Sequence, residues 1–420
     1  MIALVWPRAA RLDFGDWLNV AVCFLALAVT YSGRALLSVT MTPWEQEQAW
    51  SREFISGVGA ISLIVMAAVA PISGHILDRL GPRVVLGGGM LMLAAGMAIT
   101  SVIAAPWQLV IGYGVFSGVG FGIGTVSAVA TVVLLSVRRR GGLAVGLGTS
   151  GATAGQVVLI PLLAAIVADF GWRTGYVTVA AAALALGAAG WVMTGRAKRQ
   201  ASSHERPKDG ATAPLASLGE FARSRIFHAL FWSFAVCGFT TTGVIETHLI
   251  PYAAFCGIPP VPSATIYGLL SGVNLLGMAL AGYLSDKLHR PLFLGSLYVA
   301  RALTFVMLMV IGGDFELMLV FAVLFGLVDY ATVPVTTSIA RTHFGIGRLG
   351  LVMGLMTTGH SIGGALGAYL GGAIFDAFGT YVWVWLSALA LAILGGALAY
   401  SIPEPERGAP WRRREAAIAA

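Results

Sequence analysis

Residues 74–83 read Gly74-His75-Ile76-Leu77-Asp78-Arg79-Leu80-Gly81-Pro82-Arg83, and a worn copy returns as Gly282-Tyr283-Leu284-Ser285-Asp286-Lys287-Leu288-His289-Arg290. From Gly74 to Gly282 the shift is 208 residues. Held at that shift, Gly118 falls on Gly326, Gly146 on Gly354, Thr149 on Thr357, Gly151 on Gly359 and Gly155 on Gly363. Pro43-Trp44 likewise falls on Pro251-Tyr252, and Phe170-Gly171 on Phe378-Gly379. One register holding over most of the chain reads as two copies of one unit. Within the string, Gly74 lets a neighbouring helix come close, Asp78 accepts from Arg side chains or a helix N-terminus, and Gly81 makes the turn. Gly74, Asp78, Arg79, Gly81 and Arg83, with Asp286, Lys287 and Arg290 of the copy, are therefore expected to form a cytoplasmic gate. It would be a charge latch, made in one state and released in the other.

Long apolar runs lie on both sides of each string. The 420 residues are 57% hydrophobic and 11% charged, with a mean hydropathy of +0.84. A soluble domain carries about 25% charged residues, so a water-surrounded globule is excluded, and the same numbers exclude a disordered chain. A helix needs about 20 apolar residues to cross a bilayer. Twelve stretches qualify, near 17–39, 54–77, 84–104, 107–136, 143–168, 173–194, 226–255, 263–284, 291–311, 315–340, 350–375 and 380–401. Barrel strands would alternate over shorter segments. The first run is too long for the apolar core of a signal peptide and is expected to stay as a span. The fold expected is an all-α membrane protein of twelve transmembrane helices in two pseudo-twofold-related six-helix bundles, 1–194 and 223–420. Residues 195–222, polar and carrying Pro207 and Pro214, read as the cytoplasmic linker.

With both termini cytoplasmic, 22 of the 26 Lys and Arg fall in inner loops and tails. Arg52 and Arg173 fall outside, and Arg34 and Arg301 fall within spans. That bias sets orientation and accounts for the net charge of +7 without nucleic acid. The protein is expected in the inner, cytoplasmic membrane. Cys23, Cys237 and Cys256 are too scattered for a disulfide framework or a metal cluster. No phosphate-binding loop, zinc spacing or nucleophile elbow occurs, so ATP hydrolysis and enzymatic chemistry have no support.

The string at 74–83 resembles the loop motif of the major facilitator superfamily, over essentially the whole chain. Four pieces resemble its monocarboxylate and oxalate/formate branch: Trp50-Ser51-Arg52, Thr247-His248-Leu249-Ile250-Pro251-Tyr252, Asp329-x-Ala331-Thr332-Val333-Pro334 and His360-Ser361-Ile362-Gly363-Gly364-Ala365-Leu366-Gly367. The chain departs from that branch where span eight carries no charge before Asp286 and where span eleven offers only His360. The resemblance implies rocking of two bundles about a midplane site lined by spans one, four, seven, eight, ten and eleven.

An ionisable group inside a span costs at least about 2.5–3.5 kcal/mol, so each needs a partner, a water cavity or a function. Arg301 and Asp329 lie at similar depth and read as a structural ion pair, with a proton or substrate role as the alternative. Arg34 and Glu246 sit in the outer thirds of spans one and seven, which by the resemblance face each other. Arg34 would hold a substrate carboxylate bidentately, with Glu246 competing for it when the site is empty; alternatively Arg34 merely snorkels. His248 and His360 are the proton-sensitive candidates or packing residues. Tyr252 crowds the same break as His248, and Asn274 reads as a substrate contact or an interhelical bond. Glycines at four-residue spacing, Gly359 to Gly371 and Gly114 to Gly122, mark ridges of close helix contact. Trp17, Trp107, Trp172, Trp383 and Trp385 read as an interfacial belt.

These features predict a secondary active transporter of a small organic anion, a mono- or dicarboxylate, working as a monomer without cofactor, by proton coupling or exchange. The rivals are a drug or siderophore exporter of the same fold, disfavoured because Gly151-x-x-x-Gly155-Gln156 lacks a following Pro, and a non-transporting membrane sensor.

Overall fold

The computed structural model describes residues 14–126, 129–130, 132–133, 141–193 and 214–404, and among them there is helix and no strand. Helices α1 (Phe14–Gln48), α2 (Arg52–Leu80) and α3 (Pro82–Ser101) are the first three expected spans. The fourth is α4 (Pro106–Leu109), a π-helical stretch (Val110–Ser117) and α5 (Gly118–Ile123). Helices α6 (Gly141–Thr149) and α7 (Gly151–Phe170) form the fifth, and α8 (Trp172–Met193) the sixth. After α9 (Pro214–Arg223), the seventh span is α10 (Arg225–Gly238), a π-helical stretch (Phe239–Ile245) and α11 (Glu246–Phe255). The eighth is α12 (Pro260–Ser285) and the ninth α13 (Arg290–Val310). The tenth is α14 (Phe315–Val328) with α15 (Thr332–Phe344), the eleventh α16 (Ile346–Phe378) and the twelfth α17 (Val382–Tyr400). Among the described residues eleven helical segments are long and apolar enough to cross a membrane. The remaining span, 107–136, includes 127–128, 131 and 134–136, which lie outside the described residues. Of the expected linker 195–222, residues through 213 lie outside them too. Its end is helical, and Phe221 is buried against Phe227 and Phe344, with ring centroids 5.2 and 5.5 Å away.

Helices α1 to α8 pack mainly on one another, and so do α10 to α17. Three pairs cross between the sets: α1 with α11, α2 with α16, and α7 with α12. All three meet toward the end of the molecule that carries Arg52. There a Cβ at Gly372 would strike the Arg52 carbonyl, and one at Gly364 would touch Leu63 and Thr242. At the opposite end, Gly146, Gly350 and Gly354 face open space. The contacts between the halves thus gather toward the Arg52 end.

The glycine ridges explain how the helices approach so closely. A Cβ at Gly363 would overlap the Ala235 carbonyl, and one at Gly367 would lie 2.5 Å from the Phe239 carbonyl. The α16 backbone thus rests directly on span seven. Gly118 and Gly122 bring the fourth span onto α2 at Ser62 and Met66 in the same way. The tryptophan expectation needs correcting. Trp107 and Trp383 are exposed, but Trp172 and Trp385 are buried. Trp172 packs edge-on to Trp44 at 5.6 Å and Trp385 edge-on to Tyr252 at 5.0 Å, so the two halves bury aromatic pairs at equivalent corners.

Span ten breaks between α14 and α15, and the sequence says why. Pro334 has no N–H, and its ring crowds the carbonyl four residues back, that of Tyr330. The helix opens over residues 329–331, leaving the Val328 and Asp329 carbonyls without helical partners. Both accept from Arg301 Nη2, the first at 3.3 Å.

Candidate functional site

The π-helical stretch before Glu246 adds a residue to the turn and so rotates α11 about its axis. Thr247 Oγ1 fills the widened turn by donating to the Thr242 carbonyl five residues back, at 3.0 Å. Glu246 then faces α1, where Arg34 Nη2 lies 2.5 Å from its Oε2. Tyr330 Oη donates to the other carboxylate oxygen at 2.9 Å. The guanidinium carbon of Arg34 stands 4.8 Å over the Tyr31 ring, and Tyr113 Oη donates to the Arg34 carbonyl at 2.7 Å. Nearby, Ser38 Oγ donates to the Thr247 carbonyl at 2.9 Å, a second polar link between α1 and α11. The side chains of Arg34 and Glu246 are 15% and 12% exposed, so Arg34 is held inside rather than reaching out to an interface.

Beside the pair is a cavity lined by Arg34, Ser38, Ser62, Tyr113, Glu246 and Tyr267 among others. Its free volume of about 20 Å³ has room for roughly one water. The walls come from spans one, two, four, seven and eight, and so from both halves.

A second charged group lies wholly within the later half. Arg301 is fully buried, and its Nη2 is 3.3 Å from Asp329 Oδ1. Its Nη1 reaches Thr240 Oγ1 at 3.0 Å, Thr241 Oγ1 at 3.2 Å and Cys237 Sγ at 3.3 Å. Thr241 Oγ1 donates to Asp329 Oδ1, and Asn274 Nδ2 to Asp329 Oδ2 at 3.3 Å. The expected pair is present, and Asn274 serves its carboxylate rather than the cavity beside Arg34.

Two further expected site residues lie elsewhere. His248 is buried with Nε2 2.9 Å from the Ala368 carbonyl, packed under Gly371. Tyr252 Oη donates to the Leu308 carbonyl. Neither lines the cavity. His360 is partly buried against Phe234, ring centroids 5.1 Å apart.

Of the gate string, Gly81 has φ +85°, a left-handed conformation suited to glycine, and opens α3. Arg83 stands 4.7 Å over the Trp191 ring. The side chains of Gly74, Asp78 and Arg79 lie outside the described residues. In the copy, Lys287 donates to Tyr283 Oη and Asp286 is exposed. Arg290 Nε lies 2.6 Å from Glu404 Oε1, and Arg290 Nη1 reaches Thr342 Oγ1 at 2.6 Å. It ties α13 to α15 and the tail within one half.

Sequence reasoning missed Tyr330, Tyr267 and Arg52. Tyr330 is the unnamed position in Asp329-x-Ala331, and its neighbour's charge was the only signal. Arg52, read as an outer-loop cation, is buried. It donates through Nε to Glu45 Oε1 at 2.6 Å and through Nη1 to Tyr381 Oη at 2.7 Å, joining the first half to the twelfth span.

The profile of the Major Facilitator Superfamily matches residues 23–312 and 280–419 of the chain. Monocarboxylate transporter 13 of Rattus norvegicus is 26% identical over 355 residues, spanning 83% of this chain and 80% of the relative. The uncharacterized MFS-type transporter YcxA of Bacillus subtilis (strain 168) is 24% identical over 386 residues, spanning 90% and 92%. Among solved structures, a nucleoside transporter NupG variant superposes with a TM-score of 0.76 at 13% identity, over 92% of this chain and 98% of that one. A bacterial homologue of the human lysosomal transporter Spinster, in an inward-facing and unoccupied conformation, gives a TM-score of 0.73 at 16% identity, over 92% and 97%.

Proposed function

Since the chain belongs to the Major Facilitator Superfamily and is a multi-pass membrane transporter rather than an enzyme, we propose that it carries a small monocarboxylate or dicarboxylate together with protons by alternating access. The observation that carries this reading is the Arg34–Glu246 pair, contributed by opposite halves and set against a cavity at the closed end. Relatives named monocarboxylate transporters lend the substrate class support.

The electrostatics give the coupling. Arg34 and Glu246 together are neutral, and a buried site tolerates little net charge. A substrate carboxylate that takes the Arg34 fork displaces Glu246 and leaves one negative charge in excess. Glu246 then takes up a proton, with Tyr330 still able to hydrogen-bond the neutral acid, and the site is neutral again. Loss of the pair also removes a bridge between the halves, so loading frees the closed end to part. One singly charged anion and one proton cross together, and a dicarboxylate balances the site only as its monoanion or with a second proton. The bias of Lys and Arg toward one side supports an orientation with the Arg52 end outward and both termini inward, and the contacts between the halves at the Arg52 end support an inward-facing reading.

Uptake by purified protein in proteoliposomes tests the proposal. Lactate, pyruvate, formate and oxalate are expected to accumulate when the lumen is alkaline, and a protonophore is expected to collapse the accumulation. Flux equal to that of empty vesicles for every carboxylate, or flux indifferent to the pH gradient, would overturn it.

A further inference from the structure

The cavity beside Arg34 is charged at one end only. Arg34 and Glu246 hold that end. From Arg34 to Leu37, α1 climbs about 4.5 Å toward the Arg52 end at 1.5 Å per residue. Leu63 lies at a matching depth on α2, as far in sequence from Arg52 at the tip of its helix as Leu37 is from Gln48. Both leucines line the cavity and are buried. The hydroxyls beside them are already spent on backbone. Ser38 Oγ donates to the Thr247 carbonyl at 2.9 Å, and Ser62 Oγ to the Gly59 carbonyl at 2.7 Å. An acid whose carboxylate takes the Arg34 fork therefore turns its tail against two leucines.

The leucines differ in what stands behind them. Leu37 is lodged over Gly59 of its own half, where a Cβ would come within 2.8 Å of Leu37 Cδ2. Leu63 reaches across to the other half. A Cβ at Gly364 would lie 3.4 Å from Leu63 Cδ1, and Leu63 packs with Ala365 and Ala368 of α16. It is at once a wall of the cavity and part of the seam between the halves. The free volume there is about 20 Å³, one water's worth. A tail that outgrows this room pushes Leu63, and pushing Leu63 parts α2 from α16.

We propose that Leu63 sets the length of the acid that is carried, an inference that rests on the carboxylate reading above. A tail ending short of Leu63 lets the Arg52 end shut over it. A longer one still reaches Arg34 but holds that end ajar, so the acid is bound and not carried. Close packing makes such a limit sharp, since one methylene in an apolar pocket is worth about 10–200-fold in discrimination.

Uptake of 2-hydroxy acids of three to six carbons into proteoliposomes, corrected for empty vesicles, reads the limit, because only tail length varies. The unaltered protein is expected to carry 2-hydroxyhexanoate at least about tenfold more slowly than lactate, although the longer acid is the more apolar. Leu63→Ala is expected to bring the two rates within about threefold of each other, by removing the wall that the longer tail meets. Met66→Ala, at a side chain that packs in the same cluster without lining the cavity, is expected to keep the original ratio. Lactate uptake with no fall toward six carbons in the unaltered protein would overturn this inference alone, even if a variant failed to fold. A ratio unchanged in Leu63→Ala would overturn it as well, and so would an equal relaxation in Met66→Ala, which would assign the effect to loosened packing. Uptake of none of the acids above empty vesicles would instead remove the carboxylate reading, and this inference with it.

Discussion

Arg34→Gln is expected to lower carboxylate uptake at least ~30-fold, because truncating one member of a desolvated charge pair costs about 2–5 kcal/mol and about 1.4 kcal/mol is tenfold. Glutamine keeps the length and a donor but cannot supply the charge or the fork. The reciprocal change moves the other way. In Glu246→Gln the competing anion is gone, so Arg34 is free and substrate binds more tightly in titration calorimetry. The same variant has no carboxylate to take the displaced proton, so its transport loses dependence on the pH gradient. This opposition separates a substrate contact from a packing contact, for which both changes would merely destabilise. Full uptake by Arg34→Gln would assign the arginine to packing alone.

Arg301→Met is expected to have the largest effect on stability. Breaking a buried pair by removing one partner costs about 3–5 kcal/mol, whereas replacing both with apolar residues of similar size can be neutral. Alone, the change leaves the Asp329 carboxylate buried with only Thr241 and Asn274, the opened Val328 carbonyl loses its Arg301 donor, and that of Asp329 keeps only Thr332 Oγ1. Arg301→Met should therefore yield little monodisperse protein, or a sharply lowered melting temperature in detergent. Adding Asp329→Leu should recover much of the loss. Recovery of transport as well as stability in the double variant would make the pair structural. Recovery of stability with pH coupling lost would place Asp329 on a proton route.

Much of the fold is legible in the sequence because its determinants are linear. Apolar length marks a span, Lys and Arg mark a side, and a register of 208 residues marks a repeat. The repeat even places Trp44 and Tyr252 at equivalent aromatic corners. Less is legible of the site, for reasons that are also physical. Arg34 and Glu246 stand out because charge inside a span is costly, so their pairing can be anticipated. Tyr267 and Tyr330 carry no such signal, since a tyrosine within an apolar run costs little and shows no period. His248 stands out by its chemistry, yet close packing with Gly371 and the Ala368 carbonyl fixes where it goes, and neither is visible in the string. Counting charges by side puts Arg52 in an outer loop, and such counting is blind to burial.

The central claim is that two repeated halves exchange closure at one end for closure at the other when substrate displaces Glu246 from Arg34. Pulsed electron paramagnetic resonance between spin labels tests it most directly, in a background with Cys23, Cys237 and Cys256 replaced. One label pair replaces Gly146 and Gly354, repeat-related positions that face open space at the linker end. The other replaces Val102 and Phe378, both exposed at the Arg52 end. With transported carboxylate at acidic pH, a second population is predicted in which 146–354 shortens while 102–378 lengthens. If both distances stayed fixed, or both moved in the same sense, while the labelled protein still transported, the account would be contradicted.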